Sequence, residues 1–186
     1  MAKRRQDIGM TIEEFLVWDD GTDTRYELEH GFPVAMAPPF TPHGAIVMNA
    51  GMEIMRHLAG REPCRALQGV GVVVSRADQR FYVPDIVMTC EEPGPTPYVS
   101  DPRLIVEVLS PSTEKVDKLA KLRAYAALPS VEEIWLVAST RRLVLVWSRS
   151  EGTWIARLPA TASESFPSPV LGGEVALDRL YQLSGV

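Results

Sequence analysis

Glu107 interrupts the otherwise apolar start of the run LIVEVLSPS, residues 104–112. That run reads as a strand buried on both faces, where an unpaired carboxylate is too costly to keep. Glu107 must therefore be paired, protonated or bound to a cation. Strand geometry sets Ile105, Glu107 and Leu109 on one face and Leu104, Val106 and Val108 on the other. A second acid, Asp85, stands inside the Val/Ile-rich run VPDIVM. Two adjacent strands that each present a carboxylate to a common point repel unless a cation lies between them, and such oxygen donors suit Mg2+ or Mn2+. Asp85, Glu107 and the backbone carbonyl of Val108 would supply part of that shell.

Further along, Asp117, Lys121 and Tyr125 fall four residues apart and so share one helix face. The bland reading is a surface ion pair worth a few tenths of a kcal/mol. This helix follows the Glu107 strand directly, however, which brings Lys121 within reach of the acids. There its charge can orient an attacking water or neutralise a developing phosphate charge. Tyr125 and Trp135 read as core aromatics with a polar handle.

The elements that must position these groups follow from periodicity. TIEEFLVWDD (11–20) reads as a short helix with Thr11 as N-cap and Glu14 completing a capping box, with Phe15 and Trp18 inward. RYELEHG and PVAMA form a hairpin around His30 and Gly31. Ile46, Val47, Ala50, Ile54 and Leu58 recur at helical spacing and predict a core helix from Pro42 or His43. Residues 66–75 and 79–89 are expected to pair as two antiparallel strands, followed by a Pro/Gly-rich loop over 91–102. The Glu107 strand, a helix from Thr113 to Ala127 and strands at 131–138 and 142–148 come next. The tail from Pro159 to Gly173 reads as irregular, with a short helix near Leu177 to Gln182. Strand, crossover helix and strand argue for an α/β (α+β) fold, a mixed sheet flanked by helices.

The chain has 186 residues, a length that suits one domain over 11–186 with a flexible segment at 1–10. Its 46% hydrophobic and 23% charged residues exclude a disordered chain. A formal net charge of −5 argues against a simple nucleic-acid binder, although Lys115, Lys118, Lys121 and Arg123 outnumber Glu114 and Asp117 locally. No apolar run approaches the roughly 20 residues of a membrane span, and MAKRRQDIGM lacks a signal-peptide core. A cytoplasmic protein with no membrane partner is expected. Cys64 and Cys90 have no metal-type spacing and read as reduced thiols. GVG at 69–71 lacks the third glycine of a dinucleotide site, and the zincin, nucleophile-elbow and Walker motifs are absent from the sequence.

YELEHG, a histidine soon after a Pro-rich turn, VPDIVM, LIVEVLSPST, D-x-x-x-K-x-x-x-Y and IWLV together resemble the Uma-type putative restriction endonuclease family. That family is a branch of the PD-(D/E)XK nuclease superfamily, and the resemblance covers about residues 11–150. It implies a restriction-endonuclease-like fold and hydrolysis of nucleic acid, DNA first, with Asp85 and Glu107 binding Mg2+ or Mn2+. The usual E-x-K lysine position is Leu109 here, so the resemblance moves the lysine role to Lys121. Glu27 matches an extra metal-binding acid, against the alternative of an edge-strand charge. His43 matches a family position as a general base or phosphate contact, although a residue following Pro42 at a helix start reads first as a local cap. His30 and His57 read as surface residues. A homodimer is expected if both strands of a duplex are cut. The alternative is a nuclease-like binding or dimerisation module without turnover, to which the net charge and Leu109 point.

Overall fold

The computed structural model of the chain describes residues 9–109, 117–157 and 164–186, with the backbone alone at 117 and 118. Most of the expected flexible N-terminus, the helix start at Thr113 and the Pro159 end of the tail lie outside the described residues. Helix α1 (Ile12–Leu16) opens on the expected capping box: the Thr11 hydroxyl accepts from the Glu14 amide at 3.1 Å, and the Glu14 carboxylate accepts from the Thr11 amide at 2.9 Å. Ile12 is its buried residue. Trp18 was expected inward but is exposed, because the helix stops at Leu16; its ring meets Tyr26 edge-on at 4.9 Å. Strands β1 (Tyr26–Glu29) and β2 (Phe32–Ala35) form the expected hairpin. Its two-residue turn places His30 and Gly31 at φ 50° and 82°, the primed-turn geometry that suits the twist of paired strands.

Helix α2 (Thr41–His57) buries Ile46, Val47, Ala50 and Ile54, with Leu58 buried at its end, so the helical spacing is realised as read. The two long strands expected over 66–89 are four. β3 (Arg65–Gln68) pairs with β6 (Ile86–Thr89), whereas β4 (Gly71–Ser75) pairs with β5 (Arg80–Tyr82). Gly69, at φ 61°, turns the first arm, and Pro84, which has no amide hydrogen to donate, interrupts the second. The hairpin therefore passes from one sheet into another. Strand β7 (Tyr98–Val99) lies within the expected loop.

The first sheet has the order β2-β1-β5-β4-β7. In the second, β8 (Pro102–Leu109) runs antiparallel to β6 and parallel to β9 (Glu133–Ala138), with α3 (Asp117–Ala126) between β8 and β9 in sequence. Strands β10 (Val144–Ser150) and β11 (Thr153–Arg157) complete it, giving β11-β10-β9-β8-β6-β3. The tail is not irregular throughout: β12 (Ser165–Ser168) and β13 (Gly173–Ala176) form a hairpin before α4 (Leu177–Leu180). Phe166 and Val175 anchor that hairpin, and the Phe166 ring meets Trp135 at 5.1 Å. Leu104, Val106 and Val108 pack with α2 on one face of the second sheet, while Ile105 packs with Leu122 and Tyr125 of α3 on the other.

The cysteines correct the sequence reading. Cys64 and Cys90 are joined in a disulfide rather than held as reduced thiols. The β3–β6 register explains this: Arg65 pairs with Thr89, so the residues just beyond each strand end face one another. Among the described residues, no helix is long and apolar enough to cross a membrane.

Candidate active site

Asp85 lies in the bend where the hairpin leaves the first sheet for the second, just ahead of β6. The pairing of Ile86 with Val106 extends to set Asp85 beside Glu107 and Val108. Its Oδ2 accepts from the Val108 amide at 2.7 Å, and its Oδ1 lies 3.3 Å from His43 Nε2. His43 is not the cap of α2. The N-cap is Phe40, and His43 stands inside the first turn with its ring turned to Asp85. The Asp85 hydrogen bond, opposed by burial and reinforced by the charges of Asp85 and Glu107, raises the His43 pKa. His43 Nδ1 is buried without a hydrogen-bond partner among the described residues.

Glu27 comes from the first sheet. Its carboxylate is almost buried, and its Oε1 accepts from the Val83 amide at 2.8 Å. That bond ties Glu27 to the same bend that carries Asp85. Lys121 reaches in from α3: Nζ lies 2.8 Å from Glu27 and 3.7 Å from Glu107 Oε1, and it sits 5.3 Å from the centre of the Tyr82 ring. The Tyr125 hydroxyl donates to Glu107 Oε1 at 2.7 Å, while its ring is fully buried against Tyr82. Tyr125 is thus both a core aromatic and a partner of the acid. Asp117 opens α3, and its side chain lies outside the described residues.

Glu27, Asp85, Glu107, Lys121, His43 and Tyr125 therefore meet in one cavity of about 890 Å³ between the sheets, with Val108 in its wall. The sequence reading missed Tyr82, which supports both Lys121 and Tyr125; its position beside VPD in the chain was the available signal. Burial pushes the Glu107 carboxyl up to about 7; the nearby Lys121 opposes this, and the charges of Asp85 and Glu27 add to it. Burial likewise raises the Tyr125 pKa well above its usual value.

The donor set can be tested against a divalent ion. Mg2+ is usually held by one or two carboxylates and completes its shell with water and substrate oxygens. Asp85 and Glu107, with the Val108 carbonyl beside them, are donors of that kind. Burial first, and the charges of Asp85 and Glu27 after it, favour the protonated Glu107, and a bound cation would relieve both. Among the described residues, no three His, Cys, Asp or Glu side chains group as a ready-made metal cage. The set fits an ion held partly by protein and not one enclosed by it.

A family model described as "Uma2: Putative restriction endonuclease" matches residues 12–179. The chain belongs to the Uma2 family. Two relatives come from Synechocystis sp. (strain ATCC 27184 / PCC 6803 / Kazusa). The uncharacterized protein slr1290 is 30% identical over 93% of this chain and 92% of its own length. The uncharacterized protein sll1609 is 25% identical over 69% and 74%. The fold of this chain is shared with a crystal structure from Anabaena variabilis ATCC 29413, that of a putative nuclease belonging to DUF820. That likeness has a TM-score of 0.75 at 18% identity and covers 94% of this chain and 99% of that one. The mixed sheets flanked by a few helices are thus a fold that this chain shares with that structure.

Proposed function

We propose that this Uma2 protein hydrolyses phosphodiester bonds in nucleic acid, DNA foremost, with a divalent ion held by Asp85 and Glu107. The observation that carries the reading is Glu107. A carboxyl lifted to about 7 by burial and by two neighbouring acids, in a cavity that also holds a lysine, is a cation site more readily than a packing feature. Membership of the Uma2 family and the fold shared with the Anabaena putative nuclease support the same chemistry.

In this reading Asp85, Glu107 and the Val108 carbonyl hold Mg2+ or Mn2+, and Glu27 supports the site through Lys121. The ion, when bound, polarises the phosphoryl oxygen and makes water a stronger nucleophile at neutral pH. Lys121 supplies positive charge where the phosphate gathers negative charge, and Glu27 fixes that ammonium in place. Tyr125 holds the Glu107 carboxylate by its hydroxyl, and His43 does the same for Asp85. A homodimer in the cytoplasm completes the proposal.

One observation favours a second reading, a nuclease-like module without turnover: Lys121 lies nearer to Glu27 than to Glu107. A single set of experiments separates the two. Mn2+ binding is followed by calorimetry, and cleavage of plasmid, linear and single-stranded substrates by gel, for wild type, Asp85→Ala and Glu107→Ala. The nuclease reading expects Mn2+ binding and cleavage that both substitutions abolish. Absence of cleavage in Mg2+ and Mn2+, with no metal binding by wild type, would leave the non-catalytic module standing.

A further inference from the structure

We propose that the cavity takes single-stranded nucleic acid, or an extruded nucleotide, with a base stacked on Phe40. This rests on the nuclease reading above and adds the form of the substrate. The cavity lining is of two unlike kinds: the acids with Lys121, and an apolar set that includes Val34, Met36, Pro38, Pro39, Phe40 and Val47.

Phe40 belongs to this apolar set and is 72% exposed. It is also the N-cap of the 17-residue helix α2, and its side chain makes no capping hydrogen bond. A Ser, Thr, Asp or Asn at an N-cap would satisfy an orphan amide there, and burying a phenyl ring would stabilise the fold elsewhere. Position 40 forgoes both gains. Its backbone is extended, at φ −79° and ψ 162°, and it follows two prolines that restrict the chain, so the ring is presented by a stiff segment. A stiffly held, solvent-facing aromatic at the mouth of an active site is the platform on which a nucleobase stacks.

The charge of the described lining argues against a duplex tracked along its backbone. Among the described residues, the cavity is lined by Asp23, Glu27, Asp85 and Glu107 against Arg25 and Lys121, with His43 beside Asp85. The Arg25 guanidinium donates to the Gly69 carbonyl at 2.7 Å, and Lys121 is engaged by Glu27. Duplex binding draws its affinity from several Lys and Arg contacts to phosphates, which the described lining does not offer. A single strand adds base stacking on an aromatic face to its phosphate contacts, and stacking is available from every base. A volume of about 890 Å³ is also in the range that encloses a small ligand, a size that suits unpaired nucleotides. A paired base must leave its stack to enter.

The test uses the full chain without divalent ions, so that binding is read apart from turnover. Anisotropy of labelled deoxy- and ribo-oligonucleotides, each as single strand and as duplex, is measured for wild type, Phe40→Ala and Phe40→Trp. Single strands are expected to bind more tightly than duplexes. Phe40→Ala should lose about tenfold in affinity, the loss of one stacked base. Phe40→Trp should retain binding, with its indole emission quenched by the oligonucleotide. Thermal melts and sedimentation of each variant accompany the titrations. Equal or tighter duplex binding, no binding of any form, or unchanged affinity in Phe40→Ala overturns the proposal. So does a Phe40→Ala change confined to dimer dissociation, which would make the ring an interface residue. In a parallel assay with Mn2+, cleavage that is indifferent to Phe40→Ala sinks this inference and leaves the nuclease reading intact, whereas Phe40-dependent single-strand binding with no cleavage sinks the nuclease reading and leaves the binding site standing.

Discussion

Lys121 Nζ lies 2.8 Å from the carboxylate of Glu27, closer than the 3.7 Å that separates it from Glu107. Glu27 belongs to the first sheet and Glu107 to the second, so one ammonium on α3 spans the seam between them. The lysine is held by Glu27 and faces Glu107. That division gives it a tether on one side and a field on the other.

Lys121→Met keeps the aliphatic stem and removes the charge. Mn2+ should bind at least as tightly, because a positive charge next to the acids has been removed. Cleavage should fall by roughly 100-fold or more, the usual loss when one charge-stabilising donor is removed. Calorimetry and a cleavage assay on the same preparation separate the two effects. If metal binding and cleavage collapse together, Lys121 is structural.

Glu107 gives a pH signature. Its carboxyl is raised from 4.5 to about 7 in the folded chain, so between those values the native state holds a proton that the unfolded state has released. Stability must therefore fall as pH rises through that window, by an amount on the order of a few kcal/mol. Glu107→Gln removes the titration while its side-chain oxygen can still accept from Tyr125. The melting temperature of the variant relative to wild type should rise between about pH 5 and about pH 8 in EDTA. A difference that stays flat across that range would show that Glu107 is not held protonated.

Where residue type and period carry the structure, the sequence was legible. The capping box of α1, the buried face of α2 and the two faces of β8 all follow from spacing within one element. Asp85, Glu107, Lys121 and Tyr125 could be brought together in advance because α3 leaves the strand that carries Glu107. The bend at Gly69 and Pro84 was not legible, since both arms of the 66–89 hairpin carry β-rich residues throughout and only tertiary packing divides them between sheets. His43 looked like a cap because sequence shows its neighbour Pro42 and not Asp85, which is distant in the chain. The tail hairpin was hidden by its prolines and serines, although Phe166 and Val175 bury it.

The disulfide was hidden for the same reason, since a separation of 26 residues matches no motif and only the β3–β6 register brings Cys64 to Cys90. Neither cysteine of the native protein should react with iodoacetamide until a reductant is added. Reduction should lower the unfolding free energy by about 2–4 kcal/mol, and Cys64→Ser should match the reduced wild type. Labelling of both thiols without reductant would show that the bond does not form in solution.

Tyr125 separates packing from electrostatics. Its ring meets Tyr82 edge-on at 5.8 Å, and its hydroxyl is the 2.7 Å donor to Glu107. Tyr125→Phe keeps the ring contact and removes the donor that favours the ionised carboxylate, so the Glu107 pKa should rise further. Near pH 8, where Glu107 is ionised, the variant should lose roughly 1.5–3 kcal/mol of stability, the range for a hydrogen bond to a charged group. The loss should shrink as pH falls below 7 and the acceptor gains its own proton. In a cleavage assay the rising limb of the pH profile should move to higher pH while KM changes little, because Tyr125 acts through Glu107 and not on the substrate. A Tyr125→Phe protein whose stability loss is the same at both ends of the range would place the tyrosine in the core alone.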